Sequence, residues 1–242
     1  MAPRVLIAVT SSNGPLGKRP TGAWLSEITQ PWHVLSRAGF AVDYASPAGG
    51  ETPIDPMSGM LPSPTKREFA QHGELDRLVH ATKSVDVDPA RYDAIFFAGG
   101  HGTLWDFPTD PGLRLVAEAI WKKGGVLAAV CHGPAGLLEL QDERGALILT
   151  GRNATGYSNL EEHAGAMASK VPFLLEDAMK KSGARYTRSH IPMAPHVVID
   201  GRLVTGQNPL SARGVARAVV GLVEGSRARR AVSNGFARAQ VT

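Results

Sequence analysis

The chain holds one cysteine, and its neighbours suggest a use for it. Cys131 ends the apolar run Val126–Val130 and is followed by His132, Gly133 and Pro134. A buried strand that meets a lone cysteine, then glycine and a helix-starting proline, has the form of a nucleophile elbow. Such a turn lifts the side chain into the crevice above the sheet. Backbone amides there, and the positive end of the next helix, favour a thiolate. That help matters because a free cysteine is only a few per cent ionised at neutral pH. Inside a strand, Cys131 would read as packing; at a strand end beside His-Gly it reads as a nucleophile. A second signal is FAGGHGTLWDF, residues 97–107. Gly99 and Gly100 end another apolar run, and glycine there lets backbone N–H groups approach an oxyanion. His101 can face the same site or serve as a structural histidine, and the sequence leaves both readings open. Other patterns are empty. Gly100-His101-Gly102 lacks the third glycine of a dinucleotide fingerprint, and the Gly14 to Lys18 stretch has the wrong spacing for a phosphate loop. No serine sits in G-x-S-x-G, and the scattered His190 and His196 do not make a metal site. No metal and no cofactor are expected.

Composition narrows the classes. The 242 residues are 43% hydrophobic and 20% charged, which suits a folded domain with a sizeable core. No run of 18 apolar residues offers a membrane span, and the apolar start at Arg4 is too short for a signal peptide. One cysteine excludes an internal disulfide framework, so the reducing cytoplasm is the expected compartment. The net charge is +4. Of the 26 basic residues, Arg227, Arg229, Arg230 and Arg238 lie in 226–242, a stretch without acids. The other 22 are matched by 22 acids. A neutral body argues against a basic groove for nucleic acid. The expected organisation is one domain over 1–225 and a basic extension over 226–242.

The elements that must position these residues alternate. Strands are expected at VLIAVT after Arg4, at FAVDYA after Gly39, at YDAIFFA from Tyr92, at VLAAV before Cys131, and at LILT from Leu147. Helices are expected from Glu27 to Ala38, from Pro111 to Lys123, from about Pro134, from Pro172 to Ser182, and from Ala212 to Glu224. Pro31 must sit in an early turn of its helix or break it. Residues 47–65, rich in Pro, Gly, Ser and Thr, read as a surface excursion. Asp200-Gly201 reads as a two-residue hairpin turn. Strand–helix alternation predicts an α/β fold: a doubly wound, mostly parallel sheet flanked by helices. Ligands then bind at the carboxyl ends of the strands, just after AIFFA and VLAAV.

At AVCHGPAGLL, with AGGHGTLWDFP upstream, the chain resembles the ThiJ/PfpI superfamily, whose fold is flavodoxin-like and of the class I glutamine-amidotransferase type. Further segments resemble its stress-chaperone, glyoxalase III-like subfamily: TGAWLSEITQPW (21–32), AGFAVDYASPAGG (38–50), ATGYSNLEE (154–162), VPFLLED (171–177) and DGRLVTGQNPLSA (200–212). The resemblance spans about residues 3 to 224. It implies Cys131 as nucleophile, His132 as its adjacent histidine, and Glu27 as a buried acid touching the nucleophile. It implies the Glu161-Glu162 pair as the source of the third triad member, with Glu162 favoured, and an oxyanion site at Gly99, Gly100 and the His132 backbone. Read alone, Glu27 would be a solvated helix residue. No His-x-Glu follows Cys131, unlike true glutamine amidotransferases of this fold, which disfavours glutamine hydrolysis for a synthetase partner.

The resemblance implies a cofactor-free, glutathione-independent glyoxalase. Methylglyoxal, a small 2-oxoaldehyde, would become D-lactate through a cysteine hemithioacetal, with no metal. That is a lyase of the D-lactate dehydratase type. The alternatives are a holding chaperone, a protein deglycase or cysteine peptidase-like hydrolase, and a redox sensor. A homodimer is expected, with no nucleic-acid and no membrane partner.

Overall fold

Continuous apolar runs such as AIFF and VLAAV form strands buried on both faces, which is what a covered parallel sheet requires. In the computed structural model, which describes residues 2–60 and 62–239, seven strands make that sheet. They are β1 (Arg4–Ala8), β2 (Ala41–Ser46), β3 (Thr82–Lys83), β4 (Ala94–Phe97), β5 (Val126–Val130), β6 (Val197–Asp200) and β7 (Leu203–Gly206). Their spatial order is β6-β7-β5-β4-β1-β2-β3. All neighbours are parallel except β6 and β7, a hairpin. The register places Ala8 beside Phe97 and Phe97 beside Ala129. The carboxyl ends of β1, β4 and β5 therefore finish in one row, under the loops that begin at Val9, Ala98 and Cys131.

Side-chain alternation splits the core into two layers. On one face, Val5, Ile7, Phe96, Ala128 and Val130 pack against helices α1 (Ser26–Arg37) and α4 (Ala212–Ala239), through Ile28, Trp32, Leu35, Val215 and Val219. On the other, Leu6, Ile95, Phe97, Leu127 and Ala129 meet α2 (Pro111–Lys122) through Leu113, Val116, Ala117 and Ile120. Asp110 caps α2 by accepting the Leu113 N–H at 2.7 Å, with Pro111 at the first helical position. Pro31 lies inside α1, buried, and the helix continues through it.

Several local expectations shift. The stretch 47–65 is not only a surface excursion. It contains the short helix Pro56–Met60 and buries Thr52, Asp55 and Ser58, with Ser58 Oγ accepting the Leu25 N–H at the start of α1. The element after Cys131 is a five-residue 3-10 turn, Gly133–Leu137, not an α-helix. LILT forms no strand, only a bridge between Gln141 and Leu147. The helix expected over 172–182 is Leu175–Lys181. In the hairpin, Asp200 pairs with Leu203, so the turn is Gly201-Arg202, one residue later than expected. Gly201 has φ +59° and takes the turn position that would strain another residue. Helix α4 runs beyond Glu224 to Ala239; the side chains from 230 onward and residues 240–242 of the basic extension lie outside the described residues. Among the described residues, no helix is long and apolar enough to cross a membrane.

Candidate active site

The site begins with an unfavourable backbone conformation. Cys131 has φ +59°, in the left-handed region, although it carries a side chain. That conformation costs about 1–2 kcal/mol and persists only where neighbours enforce it. Here the Cys131 N–H donates to Gly206 O at 2.9 Å, and its carbonyl accepts the Tyr157 N–H at 2.8 Å. Strands β5 and β7 and the segment at Tyr157 thus clamp the elbow. The result turns Sγ away from the strand, towards His132 Nδ1 at 3.3 Å.

His132 is 1% exposed, and its other ring nitrogen, Nε2, lies 2.7 Å from Glu162 Oε2. Glu162 projects from the first turn of a short helix, α3 (Asn159–Ala164). The Ser158 hydroxyl caps that helix by accepting the Glu161 N–H, and the Glu161 carboxylate returns to Ser158, a closed capping box. Glu161 also accepts from Asn208 Nδ2 and from the Met193 N–H, each at 3.0 Å. The neighbouring acids are thereby separated: Glu161 holds the helix and the adjoining loops, and Glu162 holds His132. Burial opposes ionisation of Glu162, but His132 and His101 outweigh it and keep its carboxyl well below the usual range. Burial lowers His132, His101 lowers it further, and Glu162 pulls the other way.

Glu27 is fully buried at the start of α1, not solvated. Its Oε2 accepts the Gly99 N–H at 2.9 Å, Oε1 is buried, and the carboxyl group interacts with the Cys131 thiol. Burial pushes this carboxyl up to about 8, against the partial help of Cys131 and Gly99. Burial also raises the Cys131 thiol, and negative charge on Glu27 raises it further, while the His132 backbone N–H favours the thiolate. Two acidic groups in one closed site cannot both ionise freely. With Glu27 protonated, its charge no longer opposes a thiolate. The expected helix dipole contributes little, because Gly133–Leu137 is too short to supply one.

The expected oxyanion donors divide. Gly99 is committed to Glu27, so its N–H is not offered to a ligand. A Cβ at Gly99 would stand 2.5 Å from both Glu27 Oε2 and Val130 O, which is why only glycine fits between α1 and β5. The Gly100 amide donates to no backbone carbonyl among the described residues and remains a candidate, as does the His132 amide, which also faces the Cys131 sulfur. Gly100 has φ +108°, and a side chain there would collide with Gly22 O. Thr103 Oγ1 ties the two loops together, its one hydrogen shared between Gly100 O at 2.9 Å and His132 O at 3.1 Å.

His101, which the sequence left undecided, faces this site: its Nε2 is 2.8 Å from Glu162 Oε1. Tyr157 forms a wall, its ring centroid 4.5 Å from that of His132. The GGHG run flagged His101; nothing local flagged Tyr157. His101, His132 and Glu162 also place their donor atoms within 4.8 Å of one another, a spacing a metal ion could use, and hydrogen bonds within the trio already engage all of them. His190 and His196 stand apart from this group.

Residues 21–222 match the model of the DJ-1/PfpI family. Glyoxalase 3 of Candida albicans is 33% identical over 233 residues, covering 91% of this chain and 98% of that protein. The glutathione-independent glyoxalase HSP31 of Saccharomyces cerevisiae is 33% identical over 230 residues, covering 89% and 96%. Among solved structures, glyoxalase III of Candida albicans superposes with a TM-score of 0.83 at 31% identity, covering 91% of this chain and 97% of that one. The Rapid Encystment Protein 24 KDa of Francisella tularensis superposes with a TM-score of 0.87 at 36% identity, covering 91% and 99%. A family match over residues 21–222, with relatives 33% identical along most of both chains, makes the chain a member of the DJ-1/PfpI family.

Proposed function

We propose that this protein is a glutathione-independent glyoxalase that converts methylglyoxal to D-lactate, with Cys131 as nucleophile. One observation carries the reading: Cys131 Sγ, held out of its strand by a left-handed backbone, sits between His132 Nδ1 at 3.3 Å and the raised carboxyl of Glu27. The names borne by the relatives support it. The thiol adds across the aldehyde C=O. A C–S bond forms, the thiol proton leaves through His132, and the carbonyl oxygen gains a proton to give the hemithioacetal. The hydrogen on that carbon then moves as a proton to a base, and the adjacent ketone carbon is reprotonated through an enediol. The aldehyde carbon is thereby oxidised to a thioester and the ketone carbon reduced to an alcohol, with no external oxidant. Water cleaves the thioester, releases lactate and restores the thiol. Glu27, poised near 8, can give and take a proton at neutral pH, which suits the carbon-to-carbon transfer. The Gly100 and His132 amides would hold the developing oxyanion, a contribution of about 3–4 kcal/mol.

Cys131 is 4% exposed, which suits a small 2-oxoaldehyde and disfavours a polypeptide substrate. The test supplies methylglyoxal without glutathione or added metal and assays D-lactate. Wild type is expected to form it and Cys131→Ala to form none. Equal turnover by the two would overturn the assignment of the nucleophile, and no product from wild type would overturn the substrate.

A further inference from the structure

The Glu162 carboxylate is held at both ends, and only one end is explained by the hemithioacetal chemistry. Oε2 meets His132 Nε2 at 2.7 Å, and Oε1 meets His101 Nε2 at 2.8 Å. The two imidazoles lie against one another, with ring centroids 4.2 Å apart and an interplanar angle of 38°. Their exposures differ: the His101 side chain is 12% exposed, against 1% for His132 and 3% for Glu162. His101 is thus the member of the trio nearest to solvent. It leaves the end of β4 directly after Gly100, while His132 follows the elbow of β5 and Glu162 comes from α3, so three separate elements converge.

A carboxylate bonded through one oxygen can swivel and carry its partner imidazole with it. Bonded through both, it is fixed, and so is the direction in which His132 Nδ1 points. Two imidazoles in ring contact also share one charge economically, because a proton on either disfavours a second proton on the other.

We propose that His101 is a positioning residue of the reaction: it locks Glu162 through Oε1 and so fixes His132, with Nδ1 directed at the Cys131 thiol. The proposal rests on Cys131 being the nucleophile, although its test does not need methylglyoxal to be the substrate. The groups facing the pair are Glu162 and Glu161 from α3, Tyr157 from the preceding segment, and Cys131 and Glu27 across the site. All of these remain when His101 alone is replaced. Consistent with the geometry, His101 lowers the basicity of His132 beyond what burial does.

The experiment compares wild type, His101→Ala and His101→Gln in two assays. The first follows alkylation of Cys131 by iodoacetamide across pH; the second follows methylglyoxal turnover. Removing the His101 ring, which lowers the basicity of His132, should displace the acid limb of the alkylation profile to higher pH in both variants. Removing the Oε1 bond should lower turnover about 10- to 100-fold in His101→Ala. His101→Gln, whose amide N–H can still donate to Oε1, should recover most of that loss. An acid limb that stays in place in both variants, or a glutamine variant as slow as the alanine one, would overturn the proposal. If wild type makes no lactate while the limb still moves, the substrate reading fails and the role of His101 stands. Thermal melts of both variants identify simple loss of packing, which would lower stability without moving the acid limb and would likewise refute the proposal.

Discussion

Replacing Glu27 by glutamine tests the protonation state on which the site depends. Glu27 is 0% exposed, and burial lifts its carboxyl from 4.5 to about 8. A carboxyl with a raised native value binds its proton more tightly folded than unfolded. The folded state therefore keeps the proton over a range where the unfolded chain has lost it. Stability from this group is full below about 4.5 and declines as pH rises, until the native carboxyl also ionises near 8. Each pH unit inside that window is worth about 1.4 kcal/mol. Between about pH 5 and pH 7, wild type should lose about 2–3 kcal/mol relative to a variant that cannot ionise there. Glu27→Gln is that variant. Its carbonyl can keep the Gly99 N–H, and its NH2 replaces the buried Oε1. The other carboxylates and histidines are common to both proteins and cancel in the difference. The Cys131 thiol titrates above the window. Urea unfolding of both proteins at several pH values measures the quantity directly. Glu27→Gln should gain on wild type steadily from pH 5 to pH 7 while losing methylglyoxal turnover. A stability difference that stays constant across that range would refute the argument, because it would mean that the native carboxyl is ionised throughout.

Four further outcomes follow from the same geometry. Gly99→Ala forces a Cβ to within 2.5 Å of Glu27 Oε2 and Val130 O, and should cost about 3 kcal/mol in urea unfolding together with turnover. Glu162→Gln leaves His132 without its anionic partner at 2.7 Å and should lower kcat about a hundredfold or more, with little change in melting temperature. Ser158→Ala opens the capping box of the helix that carries Glu162; it should cost about 1 kcal/mol and reduce turnover as that turn frays. Asp110→Ala removes the equivalent cap from α2, which does not contribute to the site, so it should cost about 1 kcal/mol and leave kcat/KM unchanged.

The chain order of most strands and helices and the turn at Cys131 were legible in the residues, because each is a local property. Five apolar residues in a row with a glycine at one end make a buried strand wherever the chain goes, and a cysteine set between such a strand and His-Gly is displayed by the turn itself. The layered α/β architecture followed from the alternation. The misjudged elements were those decided by competition between short segments. LILT has the composition of a strand, yet no strand edge is available to it beyond one bridge. The turn after Asp200 moved by one residue because its register is set by β7 pairing with β5, not by the Asp-Gly pair alone.

The site's electrostatics belong to the tertiary structure. Glu27 in TGAWLSE has the pattern of a surface acid on an amphipathic helix, and only resemblance to a family marked it. It is buried because packing α1 on the sheet brings it to Gly99, 72 residues away. Glu161 and Glu162 are chemically equal in sequence. The phase of a one-turn helix, fixed by the Ser158 cap, sends one to Asn208 and the other to His132, 30 residues distant. His101 becomes a partner of Glu162 only through that folding, across 61 residues. Sequence specifies residue types and local backbone. Desolvation, which lifts Glu27 and lowers His132, depends on everything packed around them, and that is set only when the distant segments meet.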